Sequence, residues 1–150
     1  AYIVPVRGKR VALVGFNTTF NTLKTKDMVA KVEEMRKQAD IVLVMMHWGV
    51  EYRTTHTASQ QKLAHALIDA GADAVIGSHP HVIEDTETYQ GKPIAYSLGN
   101  AIFDQTWSKA TQKGMMATLT FAPGKDIVLA TKTFTSKKNK PVWDDAVAKQ

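Results

Sequence analysis

The chain has 150 residues, 44% hydrophobic and 22% charged, with 19 Lys and Arg against 14 Asp and Glu for a net charge of +5. That size and balance describe one globular domain able to bury most of its apolar surface, and exclude a disordered chain. The absence of cysteine excludes disulfides, thiolate catalysis and sulfur-ligated metal, and no apolar run reaches the roughly 18 residues a membrane-spanning helix needs.

The chain opens Ala1-Tyr2-Ile3 with neither initiator methionine nor signal peptide, as expected of a processed or excised segment. Val11 to Phe16 reads as a buried strand, broken by polar residues from Asn17 to Asn21. Thr25 is placed to cap a helix running to about Gln38, with Met28, Val29, Val32 and Met35 on one face. Ile41 to Met46 is continuously apolar, as expected of a strand covered on both sides. Thr57 and Gln60 have capping-box spacing ahead of a second helix carrying Leu63, Ala64, Leu67 and Ile68. Gly71 ends that helix where a left-handed residue is wanted, and Ala74-Val75-Ile76 follows as a strand. The order strand–helix–strand–helix–strand predicts parallel strands with right-handed crossovers.

Farther along, the helix signals cease. Pro93 to Leu98 and Met115 to Phe121 read as strands, Pro123-Gly124-Lys125-Asp126 as a turn, and Ile127 to Phe134 as an antiparallel return. The expectation is a single α/β domain over residues 1–136, followed by a basic polar tail over 137–150. Lys137, Lys138 and Lys140 cluster there as a solvated segment, or as an attractor for a polyanion. No aromatic interleaving points to nucleic-acid readout.

The chemistry-bearing residues sit at strand ends. His47-Trp48-Gly49 follows one apolar strand, and Gly77-Ser78-His79-Pro80-His81-Val82 follows the next. In an open α/β sheet, ligands bind beyond the carboxyl ends of the strands. If those two strands are neighbours, about 4.8 Å apart, His47, His79 and His81 converge on one small volume as candidate metal ligands. Pro80 disfavours the helical region for His79, so the loop is expected to be extended, with the two imidazoles on one side. Gly49 and Gly77 remove bulk where backbone or ligand approaches closely. Glu51 could orient an imidazole, act as general base, ligate metal, or stand as a surface carboxylate. His56 and His65 read as hydrogen-bonded or surface residues, and Glu84 and Asp85 as solvated. Asn100 could offer its amide to a metal or oxyanion, although turn formation explains it equally.

Three motifs in order, His47-Trp48-Gly49-Val50-Glu51-Tyr52, Ala70 to Val82 and Tyr96-Ser97-Leu98-Gly99-Asn100, resemble the bacterial capsule-synthesis family typified by CapA, the poly-γ-glutamate biosynthesis protein. The resemblance implies part of a calcineurin-like metallophosphoesterase α/β/β/α sandwich. It implies two divalent ions of the Mn, Fe or Zn class in the intact protein, with His47 and His79 on one and His81 on the other. His47 and Glu51 would be catalytic, and Asn100, Tyr52 and Ser97 would line the cleft. Family members act outside the cytoplasm, usually behind a membrane anchor, in assembly or export of an anionic polymer such as poly-γ-glutamate. Partners would be that polymer, other capsule-synthesis proteins and the amino-terminal half of the same protein, with no specific nucleic acid.

The departures are concentrated upstream. The family's Gly-Asp strand end, Asn-Leu-Glu segment and Asn-Asn-His motif do not occur before His47, so the chain resembles a carboxyl-terminal half. Ala101 also stands where the family commonly has phenylalanine. Two functions follow from the resemblance: metal-dependent hydrolysis in the intact protein, or non-catalytic binding and guiding of an anionic polymer. A plain α/β domain with structural histidines is the third reading.

Overall fold

The computed structural model describes residues 1–20, 23–122, 124–138 and 140–144. Its first sheet has six strands in the order β1-β2-β3-β4-β6-β5: β1 (Tyr2–Val6), β2 (Lys9–Asn17), β3 (Ile41–His47), β4 (Ala74–Ser78), β5 (Thr86–Tyr89) and β6 (Lys92–Ala95). Strands β2, β3, β4 and β6 are parallel, while β1 and β5 run antiparallel at the two edges. Both edge strands were absent from the sequence reading. Each is closed by a two-residue turn, Arg7-Gly8 and Gln90-Gly91, with both residues at positive φ. That is the backbone that matches strand twist in a tight hairpin. Pro5 is tolerated because β1 is an edge.

Helices α1 (Thr25–Gln38) and α2 (Ala58–Asp69) connect β2 to β3 and β3 to β4. They pack on one face of the sheet. Met28, Val32 and Met35 of α1 and Ala64, Leu67 and Ile68 of α2 bury against Ala12, Val14, Val42, Val44 and Val75. The strand residues alternate, so every second side chain meets the helices. Helix α1 starts one residue earlier than its expected cap: Lys24 is the N-cap and makes no side-chain cap bond, and Thr25 is already helical. The Thr57–Gln60 capping box is fully formed. Thr57→Ala is expected to cost about 1 kcal/mol, read as a lower midpoint in urea with an unchanged slope.

A second sheet of three antiparallel strands, β7 (Lys113–Thr120), β8 (Val128–Lys137) and β9 (Lys140–Trp143), lies on the opposite face. Its contact is narrow. Met115 buries with Ile76 and Ala95, flanked by Ile83, Leu98, Ala117, Leu119 and Leu129. The other face of β2 and β3 is therefore not covered, contrary to the reading of β3 as buried on both sides. Met45 is 46% and Leu13 38% exposed. An apolar groove of about 590 Å³ runs there between Met45, Ile76, Met115 and Phe134.

Two further boundaries differ from the sequence reading. Lys140–Trp143, within the segment expected to be a polar tail, pairs with β8 in register Phe134↔Trp143 and Lys137↔Lys140. Lys140-Pro141-Val142-Trp143 is four exposed residues with no apolar alternation, so no strand signal was there to read. Strand β6 ends at Ala95, and Leu98 and Gly99 continue only as single bridges to Ile83 and Gly114. Pro123 of the expected turn and residues 145–150 of the expected tail lie outside the described residues.

Candidate metal centre

Parallel register places Asn17 beside His47 and His47 beside Ser78, so β2, β3 and β4 end level with one another. The loops after β3 and β4 are then stitched together. The Trp48 N–H donates to the Ser78 carbonyl (3.1 Å) and the Tyr52 N–H to the Pro80 carbonyl (2.8 Å). The His-Pro-His segment is not extended: His79 and His81 both have positive φ, 103° and 61°. Non-glycine residues there are strained, and such strain persists where surrounding contacts hold the backbone in place. Here the restraints are the Tyr52–Pro80 bond and the bond from Ser97 Oγ to the Val82 carbonyl (2.7 Å).

The kinked loop still brings its imidazoles together. One donor atom each from Glu51, His79 and His81 lie within 4.8 Å of one another. His47 stands beside this group, its ring centroid 4.7 Å from that of His79 and its Nδ1 3.4 Å from Ser78 Oγ. The tight donor set thus contains Glu51 where the sequence reading had His47. The Glu51 carboxylate is within reach of both imidazoles, a position open to a metal ligand and to a group that orients an imidazole. His81 Nδ1 bonds to Asn100 Oδ1 (3.0 Å), which fixes the ring and leaves Nε2 as its free nitrogen. Burial, with His47 and His81 close by, lowers the pKa of His79 against the opposing pull of Glu51, and so favours the neutral, ligating imidazole.

Asn100 is buried and held by its own donors to the Thr111 carbonyl (2.9 Å) and Gln105 Oε1 (3.2 Å). Gln105 in turn donates to Tyr52 Oη (3.3 Å), and Tyr52 stacks on His81. Asn100 and Tyr52 therefore border the donors. Ser97 does not: it is fully buried, accepts from the Gly99 N–H, and anchors the loop from beneath. Sequence reasoning missed Gln105, Phe103 and Trp107, whose 101–112 loop has no periodicity to read, although Phe103 packs on His81 and Trp107 on Tyr52. It also passed over Asn17, whose place at a strand end next to His47 was the available signal.

Beneath the loops lies a second set of polar contacts. His56 Nδ1 pairs with Asp85 Oδ2 (2.8 Å), and His65 Nε2 with Glu87 Oε1 (2.7 Å), the hydrogen-bonded roles expected of both histidines. Glu84 is not solvated as expected but 2% exposed, accepting from Gln60 Nε2 (2.8 Å) with Oε1 unpartnered. Burial raises its pKa above the ordinary 4.5. The folded state therefore holds this proton more tightly than the unfolded chain. The resulting stability is present below the unfolded value and is lost as pH rises through the folded one. Glu84→Gln should thus stabilise the protein at pH 7, by about 1 kcal/mol, with the gain shrinking under acid conditions. Thermal melts of both proteins across pH would show it; a gain that grows toward low pH would contradict the assignment.

The class follows from comparison with known families, in agreement with the fold. The model of the bacterial capsule synthesis protein family PGA_cap matches residues 1–105, and the chain belongs to that family. Among its relatives, the PGA biosynthesis protein CapA of Bacillus subtilis is 46% identical over 88 residues, covering 59% of this chain and 23% of that protein. The capsule biosynthesis protein CapA of Bacillus anthracis is 36% identical over 128 residues, 74% of this chain and 31% of its own length. The chain thus spans between about a quarter and a third of these relatives. A crystal structure of a hypothetical protein from Thermus thermophilus superposes with a TM-score of 0.64 at 21% identity, over 89% of this chain and 61% of that one. That likeness supports a partial α/β sandwich fold.

Proposed function

We propose that this chain carries the metal-binding loops of a protein of capsule or poly-γ-glutamate biosynthesis, acting outside the cytoplasm, whose complete form performs metallophosphoesterase-like hydrolysis. The observation that carries the reading is the convergence of Glu51, His79 and His81, with His47 adjacent. Imidazole nitrogens with a carboxylate oxygen suit Zn, Mn or Fe, so the donors fit the ion class expected from the family resemblance. A bound ion would supply Lewis acidity and a water that ionises near neutral pH.

The chain's own residues set up the rest. Asn100 fixes the orientation of His81, and the Tyr52–Pro80 bond holds the loop bearing Glu51 against the loop bearing both histidines. Tyr52, Phe103 and Trp107 form an exposed aromatic rim beside the donors, with Tyr52 and Phe103 against His81 and Trp107 against Tyr52. The proposed role of His47, whose ring lies 4.7 Å from that of His79 and whose Nδ1 is 3.4 Å from Ser78 Oγ, is to exchange a proton with a group held at the cluster. Capsule-synthesis proteins and an anionic polymer are the proposed partners. Among the described residues no helix is long and apolar enough to cross a membrane, and the proposed membrane association is through a segment outside this chain.

The test is elemental analysis of the purified full protein, with hydrolysis of a model phosphodiester and of poly-γ-glutamate, for wild type and His79→Ala. Bound metal and turnover, both lost in the variant, are expected. Wild type free of metal after growth and dialysis with Mn or Zn would reject the reading. Metal without turnover of either substrate would transfer it to the non-catalytic polymer-guiding module.

A further inference from the structure

Strand β9 changes the meaning of the carboxyl-terminal lysines. Lys137 and Lys140 are register partners across the β8–β9 hairpin, and Lys113 on β7 pairs with Thr135, two residues before Lys137. Antiparallel partners share a face, as do residues two apart along a strand. Lys113, Lys137 and Lys140 therefore stand on one face of the small sheet, together with Val142, and all are exposed. Met115, Ala117 and Leu129 continue that face into the contact with the large sheet, and the lysines extend beyond it.

Like charges directly opposite in a sheet are destabilising, and a solvated tail would relieve them by spreading apart. Here the ladder holds them in place. Among the described residues, none of the three lysines is in an ion pair. Asp144 is the described acid placed among them. It accepts from Thr135 Oγ1 (2.6 Å), and that bond, with Lys113 and Lys137 nearby, keeps its carboxyl below the usual aspartate range. It offsets one of three charges.

This face begins next to the candidate metal centre. The Asn100 N–H donates to the Lys113 carbonyl (3.2 Å), Gly99 bridges Gly114, and Asn100 Oδ1 bonds His81. We infer that Lys113, Lys137 and Lys140 form a track that binds a linear polycarboxylate chain and leads it away from the histidine cluster. The identity of the polymer as poly-γ-glutamate rests on the capsule reading above; the track itself rests on the sheet register.

The chemistry favours carboxylates on a flexible backbone. Side chains on one face repeat at about 6.8 Å along a strand and about 4.8 Å between strands, a spacing that successive pendant carboxylates can meet. Lysine ammoniums are point charges with rotatable donors, tolerant of a mobile ligand, and the face has none of the arginine forks that grip phosphate bidentately. Val142, 42% exposed, offers apolar contact to methylene groups between charges.

The experiment is fluorescence anisotropy of end-labelled poly-γ-glutamate titrated with the full chain at low and at physiological salt. The triple variant Lys113→Gln/Lys137→Gln/Lys140→Gln should bind about tenfold more weakly and show a flatter salt dependence. A control triple, Lys9→Gln/Lys26→Gln/Lys37→Gln, removes the same charge elsewhere and should stay within about twofold of wild type. Far-UV circular dichroism establishes that both are folded. Equal losses in the two triples would reduce the effect to net charge and overturn the track. Inorganic polyphosphate of matched charge binding as tightly would overturn the assignment to carboxylates. Loss in His79→Ala with the lysine triple unaffected would place the polymer on the histidines, overturning the track while leaving the metal-centre reading standing.

Discussion

Gly77→Ala is expected to unfold the protein or lower its stability by about 3 kcal/mol or more, the cost of overpacking a rigid core site. Gly77 sits in β4 between β3 and β6, where the Trp48 indole N–H reaches across to the Tyr96 carbonyl (2.9 Å). An added Cβ would collide with that carbonyl oxygen and lie 2.5 Å from Trp48 Nε1. Both Trp48 and Tyr96 are fully buried and stacked on one another, so neither can move aside cheaply. The displaced group would be backbone of the segment that leads to Asn100. Loss of the fold's register and disturbance of the metal loops should therefore appear together. Gly15→Ala is the comparison: nothing lies within 4 Å of a Cβ there, and its φ lies outside the positive range. It should change stability by no more than about 0.5 kcal/mol. Thermal melts followed in the near-ultraviolet, where Trp48 and Tyr96 contribute, distinguish the two. A Gly77→Ala protein melting with Gly15→Ala would mean that the Trp48–Tyr96 approach is looser than described.

The second large effect concerns metal affinity. By calorimetry with Zn²⁺ or Mn²⁺, the chain should bind in the micromolar range or weaker, and His79→Ala or His81→Ala should each weaken binding by about 100-fold or more. The reasoning starts from the donor count. Glu51, His79 and His81 supply three donors, with His47 as a fourth only after movement of its ring. Glu51 is exposed, so its side chain loses entropy on binding, whereas His81 is already held by Asn100. Asn100→Ala should accordingly cost about tenfold in affinity through loss of orientation alone. Glu51→Gln keeps the shape and removes the charge, and should weaken binding more than Asn100→Ala. Nanomolar affinity for the wild-type chain would show that further donors are recruited. Full affinity in His79→Ala would remove that residue from the donor set.

Much of the helical half was legible because its signals are local. The capping box at Thr57 and Gln60, the apolar face of Met28, Val32 and Met35, and the apolar run ending at His47 each depend on a few consecutive residues. Strand order followed from the alternation of strand and helix, since short connections of that kind leave parallel neighbours. The edge strands and β9 were not legible. Strands β1 and β9 are exposed throughout, and β5 alternates over only four residues, so the pattern of inside and outside that marks a strand was missing or too short to read.

For the site, residue types and strand ends were enough to name His47, Glu51, His79 and His81, because imidazoles after adjacent parallel strands must meet at one edge of the sheet. The family likewise followed from three motifs and agrees with the match over residues 1–105. What only the tertiary structure decided is how those side chains divide. The left-handed backbone at His79 and His81 turns Glu51 into a member of the tight donor set and leaves His47 beside it. Ser97 goes beneath the loop, Glu84 into the interior, and Lys137 and Lys140 onto a fixed face. The physical reason is common to all of them. Local sequence sets which side of a strand or helix is apolar, but the positions of polar side chains on loops are set by hydrogen bonds to residues 15 to 30 positions away, as Val82–Ser97 and His56–Asp85 illustrate. No local pattern encodes those.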